Sequence, residues 1–234
     1  MARKRVTPNF EIEPPSNLYD EPFYGMKLDE KQLEYANAIW SDDYDIIFVN
    51  AKAGTGKTTI AVCVADMFHG YKKYEEIIYI VSPYGESKQG YLPGNQTEKS
   101  SVYFDALNQA LITCGHDPTR VICTDINQKN GTSFVTAITD TYLRGRTLDS
   151  AVIIIDEAQN FTFDQLKTTL TRIGKNVKVI VIGHDEQCDL KDKSSSGFTK
   201  YIEHFAEQPR CKVCELTENH RSWISQWADE AKRD

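Results

Sequence analysis

The sequence predicts a doubly wound α/β fold, in which helices cover both faces of a mostly parallel sheet. Short apolar runs rich in β-branched residues recur at 45–50, 76–82, 151–155 and 177–182, and helical stretches separate them. Nearly continuous apolar strands are what a parallel sheet buried on both faces requires. The alternation of such strands with helices is typical of the α/β class.

Length and composition indicate one main domain with a buried core. The chain has 234 residues, of which 40% are hydrophobic and 26% charged, and this excludes the disordered and fibrous classes. Its longest apolar runs, such as AVIII at 151–155, fall far short of the roughly 20 residues that cross a bilayer. The N-terminus lacks the apolar run of a secretory signal, so we expect no membrane contact and a cytoplasmic location.

Charge and cysteine content restrict the function further. Lys and Arg number 27 against 34 Asp and Glu, giving a net charge of −7, which argues against a generally basic surface for nucleic acid. A local basic groove stays open as an alternative. The 6 cysteines are too sparse for a disulfide framework, and we expect reduced thiols.

An N-terminal arm and a series of helices are predicted around these strands. Residues 1–26 show no sustained period and are expected to form a loosely docked arm, whereas 27–234 form a single domain. From Asp29, the run DEKQLEYANAIW has an apolar face and an acidic first turn, which predicts a helix. Further helices are predicted at 57–69, 98–112, 162–173, 196–206 and 222–231, a strand near 134–138, and an irregular excursion within 113–150.

A phosphate-binding loop is predicted between the first strand and the helix that follows it. In the run VNAKAGTGKTT at 49–59, Gly54 and Gly56 let the backbone curl so that its N–H groups face a polyphosphate. Lys57 would reach the β- and γ-phosphates, and the Thr58 hydroxyl would be a Mg²⁺ ligand. The predicted nucleotide contacts are Ala51, which replaces the first glycine of the strict motif, Lys52, Ala53, Gly54, Thr55, Gly56, Lys57, Thr58 and Thr59.

A pair of carboxylates ends the strand at 151–155, in the run AVIIIDEAQN. Parallel strands deliver the residues after them to the carboxyl edge of the sheet, where ligands of open α/β folds bind. Asp156 is predicted to hold Mg²⁺ through its water shell. Glu157 is predicted to deprotonate the water that attacks the γ-phosphate. With the phosphate loop, this pair indicates a nucleoside triphosphatase.

Five motifs together resemble one family. They are AKAGTGKT, GYLPG at 90–94, YLRGRTL at 142–148, VIIIDEAQNFTFDQLKTTLTRIG at 152–174 and SGF at 196–198. In this order they closely resemble the PhoH-like ATPases, P-loop NTPases akin to the RecA-like first motor domain of superfamily 1 helicases. The resemblance covers about residues 28 to 230. It implies a RecA-like, three-layer α/β/α fold and ATP with Mg²⁺ as the nucleotide and cofactor.

The resemblance also implies roles for single residues. Gln32 matches a glutamine that reads adenine, and Gln187 matches one that senses the γ-phosphate. His184 departs from the Gly-Asp pair usual at this place in the family. Ser82 and Pro83 begin a shorter loop than is usual before GYLPG, although Lys88 offers a positive charge there.

Arginines of three segments are candidates for phosphate contact. Arg144 and Arg146 flank Gly145 in a predicted loop, and they would contact phosphate or nucleic acid, or act as an arginine finger in a neighbouring subunit. Arg172 and Arg221 are lesser candidates, the latter in the run ENHRSW.

A zinc site is the weaker interpretation of the cysteines. Cys211 and Cys214 form a C-x-x-C pair, and His184, Cys188 and His220 would have to complete it. The same run reads as an ordinary strand, in which positions three apart face opposite sides. We therefore expect these cysteines to pack as small hydrophobic side chains.

The sequence thus favours a Mg²⁺-dependent ATPase of one RecA-like core, acting on RNA or single-stranded DNA in a helicase-like manner. Because one core lacks the second motor domain that strand separation usually uses, we expect self-association, with a ring such as a hexamer as the simplest closed form. The alternative is an ATP-dependent switch or assembly protein that acts on a protein partner. A small-molecule kinase fits less well, because P-loop kinases often lack a catalytic glutamate at the place that Glu157 occupies here.

Overall fold

A computed structural model describes residues 13–19, 23–83, 102–143, 145 and 147–229. Six strands form one sheet in the order β3-β2-β4-β5-β1-β6, and all of its pairings are parallel. The strands are β1 (Ile46–Ala51), β2 (Glu76–Val81), β3 (Val135–Thr139), β4 (Ala151–Ile155), β5 (Lys178–Gly183) and β6 (Cys211–Leu216). The predicted parallel sheet is confirmed, with each predicted strand within one residue of its expected bounds.

Helices cover the sheet on both faces. They are α1 (Glu30–Trp40), α2 (Lys57–Gly70), α3 (Asp105–Thr113), α4 (Pro118–Val121), α5 (Asp125–Asn130), α6 (Phe163–Leu170), α7 (Phe198–Phe205) and α8 (Trp223–Asp229). Buried side chains of α1, α2 and α3 pack in one apolar core, and those of α6 and α7 pack in a second. Alternate residues of the strands enter the two cores, so the molecule has three layers.

The irregular stretch after α3 contains two short helices that the sequence pattern did not predict. Asp117 caps α4 by accepting a hydrogen bond from the Thr119 N–H at 3.0 Å, and Pro118 takes the first helical position. Thr124 caps α5 in the same way, through the Asn127 N–H. Residues 98–101 of the predicted helix 98–112 lie outside the described residues.

Part of the predicted N-terminal arm is packed onto the domain. Leu18 and Phe23 are buried in the core that contains α1 and α2. The Trp40 indole N–H donates a hydrogen bond to the Pro15 carbonyl at 2.8 Å, and the Leu18 N–H donates to the Asn37 side chain. The division at residue 27 stays a prediction, but residues 13–19 are bonded to α1, and Tyr24 is bonded to Asp66 of α2.

The six cysteines are free thiols. Cys211 packs in the core on the α7 side of the sheet, and Cys214 packs in the core on the α1 side. The prediction that these two face opposite sides is confirmed, so they do not converge on one ion. Within the described ranges, no helix is long and apolar enough to cross a membrane.

A buried lysine connects the sheet to the end of α1. Lys178, at the start of β5, is only 2% exposed. Its ammonium donates hydrogen bonds to the carbonyls of Ser41 and Tyr44, just beyond the C-terminus of α1. Burial lowers the pKa of Lys178 to about 8, because the charged form loses hydration.

Because the pKa of Lys178 is lowered in the folded state, we expect the free energy of unfolding to depend on pH. Between pH values of about 8 and 10.5 the unfolded chain keeps the proton that folded Lys178 releases. The free energy of unfolding should therefore rise with pH through this window. The free energy of unfolding of the wild type minus that of Lys178→Met should rise by about 2 kcal/mol between pH 8 and pH 10, measured by urea unfolding. The exposed Lys175→Met is the control, and an equal difference at both pH values for Lys178→Met would contradict the assignment.

Candidate active site

The loop between β1 and α2 has the geometry of a phosphate cradle. Gly54 and Gly56 have φ angles of 82° and 79°, a left-handed conformation that glycine adopts without strain. The Lys52 carbonyl accepts hydrogen bonds from the Thr55 hydroxyl at 3.0 Å and from the Lys57 ammonium at 3.2 Å. These contacts close residues 52–57 into a compact loop at the N-terminus of α2, where helices favour anions.

The carboxylate after β4 meets the first turn of α2. The Thr58 hydroxyl donates a hydrogen bond of 2.8 Å to Asp156 Oδ2, and the Glu157 N–H donates one of 2.8 Å to Asp156 Oδ1. Asp156 is 1% exposed. A hydroxyl beside a carboxylate offers the oxygen ligands that Mg²⁺ prefers, so the two residues fit the predicted metal site.

The next carboxylate, Glu157, is oriented by a side chain that sequence reasoning missed. Gln159 donates a hydrogen bond of 2.6 Å to Glu157 Oε2, while its own Oε1 accepts one of 2.9 Å from the His184 N–H. Gln159 therefore bridges the segments that follow β4 and β5. The sequence signal for Gln159 was its place in the DEAQN run, two residues after Glu157.

The chemistry of Glu157 fits proton transfer. Its side chain opens onto the cavity, but the surrounding protein removes much of its hydration, and this raises the pKa of Glu157. The negative charge of Asp156 raises it further, whereas the hydrogen bond from Gln159 opposes the shift. A carboxylate with a raised pKa is a better proton acceptor than an ordinary glutamate.

The predicted site residues are largely brought together around one cavity of about 780 Å³, a volume typical of ligand sites. Its lining includes Gln32, Ala53, Gly54, Gly56, Lys57, Thr58, Thr59, Glu157, Gln187 and Arg221. Asp156 lies beneath it, bonded to Thr58, and Thr55 is buried within the loop. Ala51 and Lys52 instead line an adjoining cavity near the ends of β1, β5 and β6.

Gln32 contacts the phosphate loop itself. Its Nε2 donates a hydrogen bond of 2.9 Å to the Thr55 carbonyl, and its Oε1 accepts one from the Asp29 N–H as part of the cap of α1. Only 6% of the residue is exposed. Its contact with adenine stays a prediction, and the structure adds a direct contact between this side chain and the loop.

The segment after β6 also reaches the loop. The His220 N–H donates a hydrogen bond of 2.9 Å to the Gly54 carbonyl, and the His220 ring lies 2.7 Å from Asp29 Oδ2. Arg221 thereby reaches the cavity wall, although the sequence ranked it below the arginines of the YLRGRTL run.

The other basic candidates are Arg144, Arg146, Lys88 and Arg172. Arg144, Arg146 and Lys88 fall outside the described residues, as does the GYLPG motif. Arg172 follows α6 and is not among the described residues that line the cavity.

The chain is similar to known proteins over most of its length. The family described as PhoH-like protein matches residues 26–231. The chain belongs to this family. Protein PhoH of Escherichia coli K12 is 37% identical over 182 residues, which cover 76% of this chain and 49% of that protein. Protein PhoH2 of Bacillus subtilis is 33% identical over 218 residues, covering 89% and 48% respectively. The chain spans about half the length of these curated relatives.

Solved structures agree on the fold. The Hef helicase domain of Pyrococcus furiosus has a TM-score of 0.51 at 12% identity, over 85% of this chain and 40% of that one. The SWI2/SNF2 ATPase core of Sulfolobus solfataricus, in complex with dsDNA, has a TM-score of 0.50 at 14% identity, over 83% and 46%. These likenesses confirm a RecA-like α/β core. The glycine loop before α2 agrees with a P-loop phosphate site.

The contact between Gly54 and the segment after β6 gives a testable prediction. An alanine Cβ at Gly54 would lie 2.5 Å from Asn219 Oδ1 and 3.0 Å from side-chain carbons of Arg221, at a φ of +82°. Gly115 has a similar φ of +84°, and an alanine Cβ there would meet nothing within 4 Å among the described residues. Gly115→Ala should therefore cost only backbone strain, about 1–2 kcal/mol, and Gly54→Ala up to about 1 kcal/mol more, because the side chains of Asn219 and Arg221 must also move.

Urea unfolding of the two alanine variants measures this difference. Limited proteolysis should also cleave Gly54→Ala faster after β6, because the added methyl group pushes the side chains of Asn219 and Arg221 away from the loop. Equal losses of stability in the two variants would contradict the prediction, because they would show that the side chains of Asn219 and Arg221 move aside without reducing the free energy of unfolding.

Proposed function

We propose that this chain hydrolyses ATP with Mg²⁺ and couples hydrolysis to the binding or remodelling of RNA or single-stranded DNA. The observation that carries the proposal is the contact of Thr58 with Asp156 beside a glycine loop whose cavity also contains Glu157. A phosphate cradle, a metal-binding oxygen pair and a proton acceptor are the parts that phosphoryl transfer to water requires.

Each part has a role in the proposed reaction. Backbone N–H groups of the loop, residues 51–59, hold the phosphates, and Lys57 neutralises charge on the β- and γ-phosphates. Thr58 and Asp156 would hold Mg²⁺, which when bound would neutralise charge on the phosphate oxygens. Glu157 accepts the proton of the attacking water as the new oxygen–phosphorus bond forms and ADP leaves. Gln187, on the cavity wall, responds to the γ-phosphate, and Gln32 contacts adenine.

Arginines complete the site in two proposed ways. Arg221 lies in the cavity of its own chain and would stabilise the charge of the transferring phosphoryl group in cis. Arg144 and Arg146 would act in trans, as fingers inserted into the site of a neighbouring subunit. A homo-oligomeric ring, such as a hexamer, would give every site such a neighbour.

The nucleic-acid partner is proposed from the family and the fold. One structural relative was solved in complex with dsDNA, and another is a helicase domain. Because the net charge is −7, binding would depend on a local basic patch and weaken steeply with salt. The free thiols fit a reducing compartment, so we also propose a cytoplasmic location.

One observation favours the alternative function, an ATP-dependent switch that acts on a protein partner. Trp223, Ile224 and Trp227 of α8 are 73%, 60% and 72% exposed. Large apolar side chains grouped on one exposed helix are typical of protein interaction surfaces. This helix follows directly after Arg221, so its position would be sensitive to the nucleotide.

Phosphate release with and without polymer tests both functions. We expect Mg²⁺-dependent ATP turnover that rises with single-stranded RNA or DNA at low salt. Glu157→Gln should retain ATP binding and lose at least about 100-fold in turnover, because the proton acceptor is removed. The exposed Glu207→Gln serves as the control. Unchanged turnover in Glu157→Gln would show that this residue is not the base. If neither polymer changes the rate or gives a gel shift, the nucleic-acid function is excluded and the switch function is favoured.

Mixed subunits distinguish the two kinds of arginine. Equal amounts of Arg146→Ala and Lys57→Ala subunits should recover about a quarter of wild-type turnover, because random neighbours restore one complete site in four. Arg221→Ala mixed with Lys57→Ala should stay inactive, since Arg221 serves its own chain. Steady-state phosphate release measures both mixtures. Recovery in the Arg221 mixture, or none in the Arg146 mixture, would contradict the corresponding assignment.

A further inference from the structure

A buried tyrosine lies beneath the proposed metal site. Tyr79 is on β2, where it pairs with Ile154 of β4. Both side chains enter the core on the α2 side of the sheet. Asp156 is two residues beyond Ile154, and alternate residues of a strand share a face. The sheet register therefore places the Tyr79 ring directly next to the Asp156 carboxylate.

The Tyr79 hydroxyl bonds the carboxylate directly. It donates a hydrogen bond of 2.5 Å to Asp156 Oδ2, the same oxygen that accepts from Thr58. The other oxygen, Oδ1, accepts from the Glu157 N–H. The Asp156 carboxylate is thus held by donors from three separate parts of the fold: β2, α2 and the segment after β4.

These donors fix the orientation of both proposed metal-binding groups. A carboxylate with both oxygens bonded cannot rotate without breaking a hydrogen bond, and bonds to a charged acceptor are among the strongest in proteins. Because Thr58 directs its O–H at Asp156, the lone pairs of its oxygen are left for a cation. Tyr79 is only 1% exposed, so water does not compete for its hydroxyl.

We propose that Tyr79 is a positioning residue for divalent-metal binding, acting through Asp156. This inference rests on the proposed function, because the metal concerned is the Mg²⁺ that accompanies ATP. Residues that orient a metal ligand typically change metal affinity by about 10–100-fold when removed. Tyr79→Phe deletes the donor and keeps the ring that fills the core.

The chain offers a matched control in Tyr35. This tyrosine of α1 is 0% exposed and packs in the same core, but its hydroxyl has no hydrogen-bond partner among the described residues. Tyr35→Phe makes the same chemical change in the same core without removing a bond to Asp156. It separates the loss of a buried oxygen from the loss of the contact.

The experiment is a Mg²⁺ titration of nucleotide binding by the full chain. The probe is a fluorescent, non-hydrolysable ATP analogue at fixed concentration, first in EDTA and then with increasing Mg²⁺. Tyr79→Phe should bind the analogue in EDTA as the wild type does, but should need about 10-fold more Mg²⁺ for the full enhancement. Tyr35→Phe should match the wild type in both conditions. In an Asp156→Asn background, Tyr79→Phe should have no further effect, because its route through the carboxylate is gone.

Each other outcome has a defined meaning. If the wild type binds the analogue with a Mg²⁺ dependence that Tyr79→Phe shares, the inference about Tyr79 fails and the proposed function stands. If the wild type itself shows no Mg²⁺-dependent binding, the proposed function fails, and the inference fails with it. A Tyr79→Phe protein that does not fold, judged by thermal unfolding beside Tyr35→Phe, would assign the hydroxyl to folding and overturn the inference.

Discussion

The Asp156 carboxylate connects parts of the chain that are distant in sequence and in the sheet. Its strand, β4, is separated from β1 by β5, yet Asp156 must reach the first turn of the helix that follows β1. A charged group that is 1% exposed is tolerated only when hydrogen bonds replace its lost hydration. The donors Thr58, Glu157 N–H and Tyr79 supply that replacement. The fold and the proposed metal site thus depend on the same few bonds.

A second set of contacts links the proposed base to the rest of the sheet edge. Gln159 joins Glu157 to the His184 N–H after β5. Its own carbonyl accepts hydrogen bonds from Ser196 before α7 and from the Cys188 thiol. The SGF motif, whose role the sequence did not explain, therefore helps to hold the DEAQN turn. Gln159 thus connects Glu157 to the end of β5 through its side chain and to the segment before α7 through its backbone carbonyl.

Sequence reasoning succeeded where one local pattern controls one local structure. Apolar runs predicted the strands, because a doubly covered parallel sheet leaves them no polar face. Gly54 and Gly56 were predicted from the backbone shape that the loop requires. Tyr79 and Gln159 were missed because each looks ordinary in its own segment, one as a core aromatic and the other as a polar turn residue. Their importance arises from partners that the chain brings near them only on folding.

The sequence by itself determined the fold class, the phosphate loop, the acidic pair at the end of β4 and the opposite orientation of Cys211 and Cys214. All of these follow from the spacing of residue types within about ten positions, where periodicity and turn chemistry act. Only the tertiary structure decided that Tyr79 supports Asp156, that Gln32 contacts the phosphate loop and that Arg221 enters the cavity of its own chain. These contacts join segments separated by 77 positions for Tyr79 and Asp156 and 23 for Gln32 and Thr55. Strand order and register, which no single segment encodes, set such distances.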